Sequence, residues 1–213
     1  PGFQVNDLRF LYASETQAHG VLDGPIGKEL KDRLAKKGVV ALGFMEGGFR
    51  NMLNNVRPVV NPEDVKGVKY RVMQNPVFID MFSSLGGNAI PMAWSEVFTA
   101  VQQGAIDGLE LPVAVIDATK YYEITKYLSL TNHTYSMIAL LVSKRSFDKL
   151  PKDVQEAVLK AGADATQEQR KIVGAQSQKI IVDLGTKGMK VNKVGDPAQF
   201  RGSVKSVYEK FRP

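Results

Sequence analysis

The 213 residues hold no cysteine and two histidines; 44% are hydrophobic and 23% charged, and the formal net charge is +6. Without cysteine there is no disulfide scaffold, thiolate zinc site, iron–sulfur cluster or cysteine nucleophile, and a chain of this length folds around a core without such staples. No stretch approaches the roughly 18–20 apolar residues of a membrane span, and the basic residues are scattered rather than interleaved with stacking aromatics, which argues against nucleic acid as a partner.

Asp23-Gly24-Pro25 breaks the chain. Ile26, Leu30 and Leu34 then recur at helical spacing, and Gly38 supplies a C-terminal stop. Val39 to Leu42 reads as a short apolar strand, and the stretch from Gly43 to Arg50, with three glycines, as a connector between lobes. Val68, Tyr70 and Val72 alternate with Lys69, Arg71 and Met73, the pattern of a strand with two different faces. Asn75-Pro76 opens a helix, Asn at the N-cap and Pro in the first turn, with Phe78, Met81, Phe82 and Leu85 as its buried stripe. Ala89-Ile90 forms a brief strand, and Ser95 caps a helix bearing Val97, Phe98 and Val101 that stops at Gly104. After an extended return at 105–108, residues 112–128 read as a helix and Thr131 to Val142 as a buried strand. From Pro151 the pattern stays helical through Leu184 with no internal proline. That run of roughly 30 residues far exceeds the mean of about 11–12 and can cross two lobes. A strand near Val191 and a short amphipathic helix on Val204, Val207, Tyr208 and Phe211 close the chain. Short strands and helices in alternation argue for an α/β fold.

Neither a Walker A sequence nor a GxGxxG turn occurs between strand and helix, and no metal-ligand spacing is present, so no cofactor and no metal are expected. No GxSxG elbow occurs, and His19 and His133 read as structural. Arg71 stands out. It sits near the end of a predicted strand, just before a helix N-terminus, where open α/β sheets bind ligands and where both the guanidinium and the helix favour anions. Position alone slightly favours a surface arginine on a half-exposed strand. Arg50 either adds a second positive charge to a cleft or is a solvated loop residue. Trp94, the single tryptophan, is either core or the wall of a pocket. Together the three suggest an anion-binding cleft.

Several blocks carry a resemblance: Val21-Leu22-Asp23-Gly24-Pro25, Gly48-Phe49-Arg50-Asn51, Lys66-Gly67-Val68-Lys69-Tyr70-Arg71-Val72, the stretch PMAWSEVFTAVQQG from Pro91 to Gly104, Ile106-Asp107-Gly108-Leu109-Glu110, and Thr131-Asn132-His133. In this order, over essentially the whole chain, the sequence resembles the TRAP transporter solute-binding proteins of the DctP type. The resemblance implies a two-lobed, hinged α/β fold of the periplasmic-binding-protein kind, with a ligand cleft between the lobes and one long helix spanning both. It divides the chain into a partial lobe one, residues 1–48 and 136–175, and a lobe two, residues 49–135 and 176–213. The family's opening βαβ portion, part of lobe one, is expected to be missing before residue 1.

By the same resemblance the protein is a periplasmic, monomeric, non-enzymatic binder of a small organic acid, which it delivers to TRAP membrane permease subunits. Arg71 would bind the ligand carboxylate, Arg50 would assist, Trp94 would pack on the ligand, and Gln74 and Asn75 would line the pocket. Leu111 stands where the family carries an asparagine, and Leu109 where it carries a glutamine. Loss of that amide favours a less polar ligand recognised chiefly by its carboxylate. The alternative is an enzyme acting on a small carboxylate on a similar two-lobed fold. It would need an acid/base pair, for which Asp107 and Glu110 are the only tempting acids, in a block the family uses structurally.

Overall fold

A computed structural model describes residues 3–211. Helix α1 (Glu15–Asp23) starts at Ser14, whose side chain accepts from the Gln17 amide. Gly24 turns directly into α2 (Pro25–Ala35), which has proline in its first turn. Gly38, at φ +83, lies in the left-handed region beyond that helix.

Strand β1 (Val39–Asn54) is 16 residues long and overturns the expected connector at 43–50. The glycines there serve close packing rather than flexibility. A Cβ on Gly43 would lie 1.9 Å from Thr166 Oγ1, and one on Gly47 2.6 Å from the Ser136 carbonyl. Gly48, at φ +88, sits where the register shifts past Glu46, so it marks a bulge within a continuous strand.

The middle follows the expected alternation: β2 (Lys69–Val72), α3 (Pro76–Ser84), β3 (Asn88–Pro91), α4 (Trp94–Gln102) and β4 (Gly108–Pro112). Asn75 caps α3 as expected, its Oδ1 accepting from the Val77 amide at 3.0 Å. Helix α4 begins earlier than expected. Its N-cap is Ala93, so Ser95 lies inside the first turn, where Glu96 suits the helix dipole. The helix expected over 112–128 shrinks to α5 (Val113–Ala118). Lys120 adopts a left-handed conformation, a 3-10 turn covers Tyr121–Glu123, and the chain enters β5 (Tyr127–Ser143). The apolar spacing of 121–128 was therefore that of a turn and a buried strand start. Then come α6 (Lys144–Phe147), the 35-residue α7 (Lys152–Thr186), β6 (Lys190–Lys193), α8 (Pro197–Ser203) and α9 (Lys205–Lys210).

The strands form one mixed sheet in the order β3-β2-β4-β1-β5-β6, with β1 antiparallel to β4 and β5. The two long strands β1 and β5 are its spine. At one end, Phe44 and Tyr135 pack with Ala18, Leu22 and Leu30 of α1 and α2. At the other end, successive residues of β1 point to opposite faces. Met52 joins a core with Tyr70, Phe78, Phe82 and Phe200, and Leu53 joins one with Val97, Leu109, Ile116 and Leu184. Leu8, from the opening segment, packs into the first of these.

Helix α7 touches both ends. Arg170 donates to the Phe44 carbonyl and, through two nitrogens at 2.7 and 3.0 Å, to Asp23, while Leu184 lies in the distant core with β4. No helix among the described residues is long and apolar enough to cross a membrane.

Candidate functional site

Where β1 bulges, β2 ends and α4 begins, a cleft of about 500 Å³ opens beside α7. Four of the six expected site residues line it: Arg50, Arg71, Trp94 and Leu111.

Arg71 is carried there by β2. Met92 donates to the Val72 carbonyl, prolonging the β2–β3 pairing, and this fixes the Met92 carbonyl as an acceptor for the arginine. Nε and Nη2 of Arg71 donate to that oxygen at 3.0 and 2.8 Å. This occupies the lateral edge of the guanidinium. Its end-on edge, Nη1 with the second Nη2 proton, has no protein partner among the described residues. The Trp94 ring lies 5.7 Å from Arg71 Cζ and is backed by Tyr121 at 5.5 Å between ring centroids. Trp94 remains 45% exposed, so it walls the cleft rather than filling the core. Burial pulls the Arg71 guanidinium below its ordinary pKa, with Glu110 acting in the opposite sense. A desolvated cation bonded only to a neutral carbonyl is a strong attractor for an anion.

Arg50 is differently placed. Its Nε and Nη2 grip both oxygens of Glu110, the Nη2–Oε1 contact being 2.8 Å, and Nη2 also donates to the Glu110 carbonyl at 2.8 Å. Glu110 is fully enclosed. His133 Nε2 lies 3.2 Å from its Oε2 and Arg9 Nη1 lies 3.7 Å away. Burial alone would raise the Glu110 pKa, but Arg50, the His133 hydrogen bond and Arg9 hold it well below the usual carboxylate range. Burial, together with Arg9, pushes His133 down to about 4, so its ring is neutral, donating from Nε2 to Glu110 and accepting from Thr131 at Nδ1 over 2.6 Å. Burial also lowers Arg9, to about 10, and its guanidinium stacks over Phe78 at 4.0 Å.

These contacts bear on the enzymatic alternative. Glu110 is locked as an ion-paired carboxylate, and Asp107 Oδ2 accepts from the Lys69 amide at 2.8 Å. Glu110 is therefore not free for proton transfer, and Asp107 is not among the residues that line the cleft. Among the described residues no group of three or more His, Cys, Asp or Glu is arranged to hold a metal.

The structure does not bring Gln74 and Asn75 to the cleft. Gln74 lies exposed in the turn after β2. Asn75 uses Oδ1 to cap α3 and Nδ2 to donate to Asp7 at 2.8 Å, tying the opening segment to that helix. Several lining residues were not anticipated: Met73, Glu46, Ser136, Ile138, Gln169 and Val173. Glu46 is buried. Its Oε2 lies 2.6 Å from His19 Nε2 and accepts from the Tyr135 hydroxyl at 2.8 Å, whereas Oε1 has no partner among the described residues. Gln169 of α7 clips the Glu46 backbone from both sides, at 2.8 Å each. The one available signal was a lone acid inside the apolar run from Val39 to Phe49, which reading 43–50 as a connector discarded.

All 213 residues match the family model described as bacterial extracellular solute-binding protein, family 7 (DctP). A solute-binding protein of Verminephrobacter eiseniae is 42% identical over 99% of this chain, which spans 63% of that relative. The 2,3-diketo-L-gulonate-binding periplasmic protein YiaO of Escherichia coli is 37% identical over 90% of this chain, which spans 58% of it. The chain thus spans less than two thirds of the length of these relatives. A TRAP periplasmic solute-binding protein of Polaromonas sp. JS666, solved bound to D-erythronate, superposes with a TM-score of 0.95 at 38% identity, covering 99% of this chain and 70% of that one.

Proposed function

The chain belongs to bacterial extracellular solute-binding protein family 7, and from that premise we propose that it captures a small organic carboxylate in the periplasm and delivers it, as a monomer, to TRAP membrane permease subunits. The observation that carries this reading is the open guanidinium edge of Arg71 on the wall of the cleft, beside Trp94. A carboxylate offers two coplanar oxygens, and that edge returns two parallel N–H bonds. Trp94 would cover the ligand body, and Arg50, held by Glu110, would add a hydrogen bond from Nη1. The sugar-acid derivatives carried by the relatives, 2,3-diketo-L-gulonate and D-erythronate, are carboxylates of this kind.

In this reading residues 1–48 and 136–175 belong to one lobe and 49–135 and 176–213 to the other. Strands β1 and β5 and helix α7 each pass from lobe to lobe, so bending in these three elements closes the cleft. A ligand touching both lobes favours the closed state, because only there are all its contacts made. Closure excludes water and strengthens the arginine–carboxylate contact. The permease then distinguishes the closed, loaded form from the open one.

A thermal-shift screen of the full-length protein against a library of carboxylic acids tests the reading. A ligand at 100 times its Kd adds about 2.7 kcal/mol of stability and a clear rise in Tm. A library in which no carboxylate raises Tm refutes it.

A further inference from the structure

We propose that Asn51 is a positioning residue of the cleft: its side chain clips together the segments of β1 and β5 on which the two lobes turn. The proposal rests on the lobe division given above and goes beyond it by locating the pivot and the group that holds it.

The pivot follows from the strand pairing. Residues 50–54 of β1 are fixed to β4, and residues 127–130 of β5 to β6. At the other end Phe44 and Tyr135 pack against α1 and α2. Between these anchored stretches the β1–β5 ladder is broken twice. Glu46 pairs with Met137 and Gly48 with Ser136, so Gly47 is the extra residue of a bulge. Arg50 pairs with Thr134 but Met52 with Ser129, so the single residue Asn51 faces the segment 130–133. Bending a continuous ladder costs hydrogen bonds, whereas a gap has none to break, so motion between the lobes concentrates here. Asn132, inside the slack segment, is exposed and left-handed at φ +44. Helix α7 has its own irregularity at the same level. Ser177 Oγ donates to the Val173 carbonyl at 2.9 Å, a back-bond of the kind that bends helices. Gly47, Gly48, Asn51, Asn132, Val173 and Ser177 border one small cavity, so the weak points of all three crossing elements meet.

Asn51 spans the gap. Its Nδ2 donates to the Phe49 carbonyl at 3.0 Å, and its Oδ1 accepts from the Asn132 amide at 3.1 Å. One planar amide thus holds the bulged stretch of β1 and the slack of β5 at a set distance. Asn51 is 2% exposed, so water does not readily replace these bonds. The residue is not among those lining the cleft, whereas its neighbour Arg50 is. It therefore acts through geometry: the angle held at Asn51 sets how the two walls of the cleft face each other. Without the clip the lobes sample a wider range of angles, and the arrangement that binds becomes a smaller fraction of the population.

Pulsed electron resonance on the unliganded full-length protein tests this. Spin labels on Ser83→Cys in α3 and Glu156→Cys in α7, both exposed positions, report the distance between the lobes. In that background Asn51→Ala is expected to widen the distance distribution by roughly half or more. Asn132→Gly keeps the amide that Asn51 holds but frees the left-handed turn. Being at an exposed position it folds whatever Asn51→Ala does, and it should widen the distribution in the same sense. Asp196→Ala removes the N-cap of α8, far from the pivot, and should leave the distribution unchanged. A wild-type distribution in Asn51→Ala or in Asn132→Gly, or an equal widening in Asp196→Ala, overturns the inference. The measurement needs no ligand, so its failure leaves carboxylate capture standing, and a thermal-shift screen without a hit leaves the hinge result standing.

Discussion

His133 makes acid stability a direct probe of the buried network behind the cleft. Burial, with Arg9 beside it, pushes the ring down from 6.5 to about 4, against the opposing pull of its hydrogen bond to Glu110. In the unfolded chain it titrates near its ordinary value of about 6.5. Between those two values the unfolded state binds a proton that the folded state does not, so stability must fall as pH falls. Linkage over the interval from pH 7 to pH 5 gives a loss of about 2 kcal/mol, rising to about 3 kcal/mol once pH drops below the folded value. Glu110 works in a lower window. Its carboxylate is stabilised by the fold, so its contribution is intact above about pH 4.3 and is lost only as pH falls below that. The assay is urea denaturation at intervals from pH 7.5 to 5, for the wild-type protein and for His133→Gln. The variant starts less stable but should lack about 2 kcal/mol of the wild-type pH dependence. Equal pH slopes for the two proteins would show that His133 is not held neutral, and the description of the network would be wrong.

Two further outcomes concern the scaffold. Asn75→Ala removes an N-cap and the bond to Asp7, so it should lower stability by about 1 kcal/mol or somewhat more while ligand affinity stays within twofold. A large affinity loss at unchanged stability would return Asn75 to the pocket. Helix α7 offers a matched pair of glycines. A Cβ on Gly162 would lie 2.5 Å from Leu42 Cβ, so Gly162→Ala should destabilise by roughly 1–3 kcal/mol, whereas Gly174 has nothing within 4 Å and Gly174→Ala should stabilise by roughly 0.5–1 kcal/mol. Chemical denaturation of the two variants side by side decides whether α7 docks on β1 as described.

Much of the fold was legible where local chemistry and tertiary context agree. Asn75-Pro76 states a helix start in both residues, and the long uninterrupted helical pattern after Pro151 became α7. Reading failed where glycine had two meanings. In β1, Gly43 and Gly47 exist because Thr166 and Ser136 approach too closely for a side chain, a constraint set by residues far away in sequence. The 112–128 segment failed for a related reason, since the left-handed turn at Lys120 carries no glycine or proline to announce it. At the site, Arg71 was visible because it ends a strand ahead of a capped helix. That Arg50 is matched by Glu110, 60 residues away, was not visible, because such pairing depends on the β1–β4 register.

The central claim is that Arg71 holds the ligand carboxylate, and calorimetric titration of a bound carboxylate against wild-type, Arg71→Lys and Arg71→Ala protein tests it most directly. Loss of a desolvated arginine–carboxylate contact costs about 2–5 kcal/mol, or roughly 30- to 5000-fold in Kd. Arg71→Ala should show that loss. Arg71→Lys, which keeps the charge without the planar fork, should fall between it and the wild type. An Arg71→Ala protein that binds its acid within twofold of wild type would contradict the account.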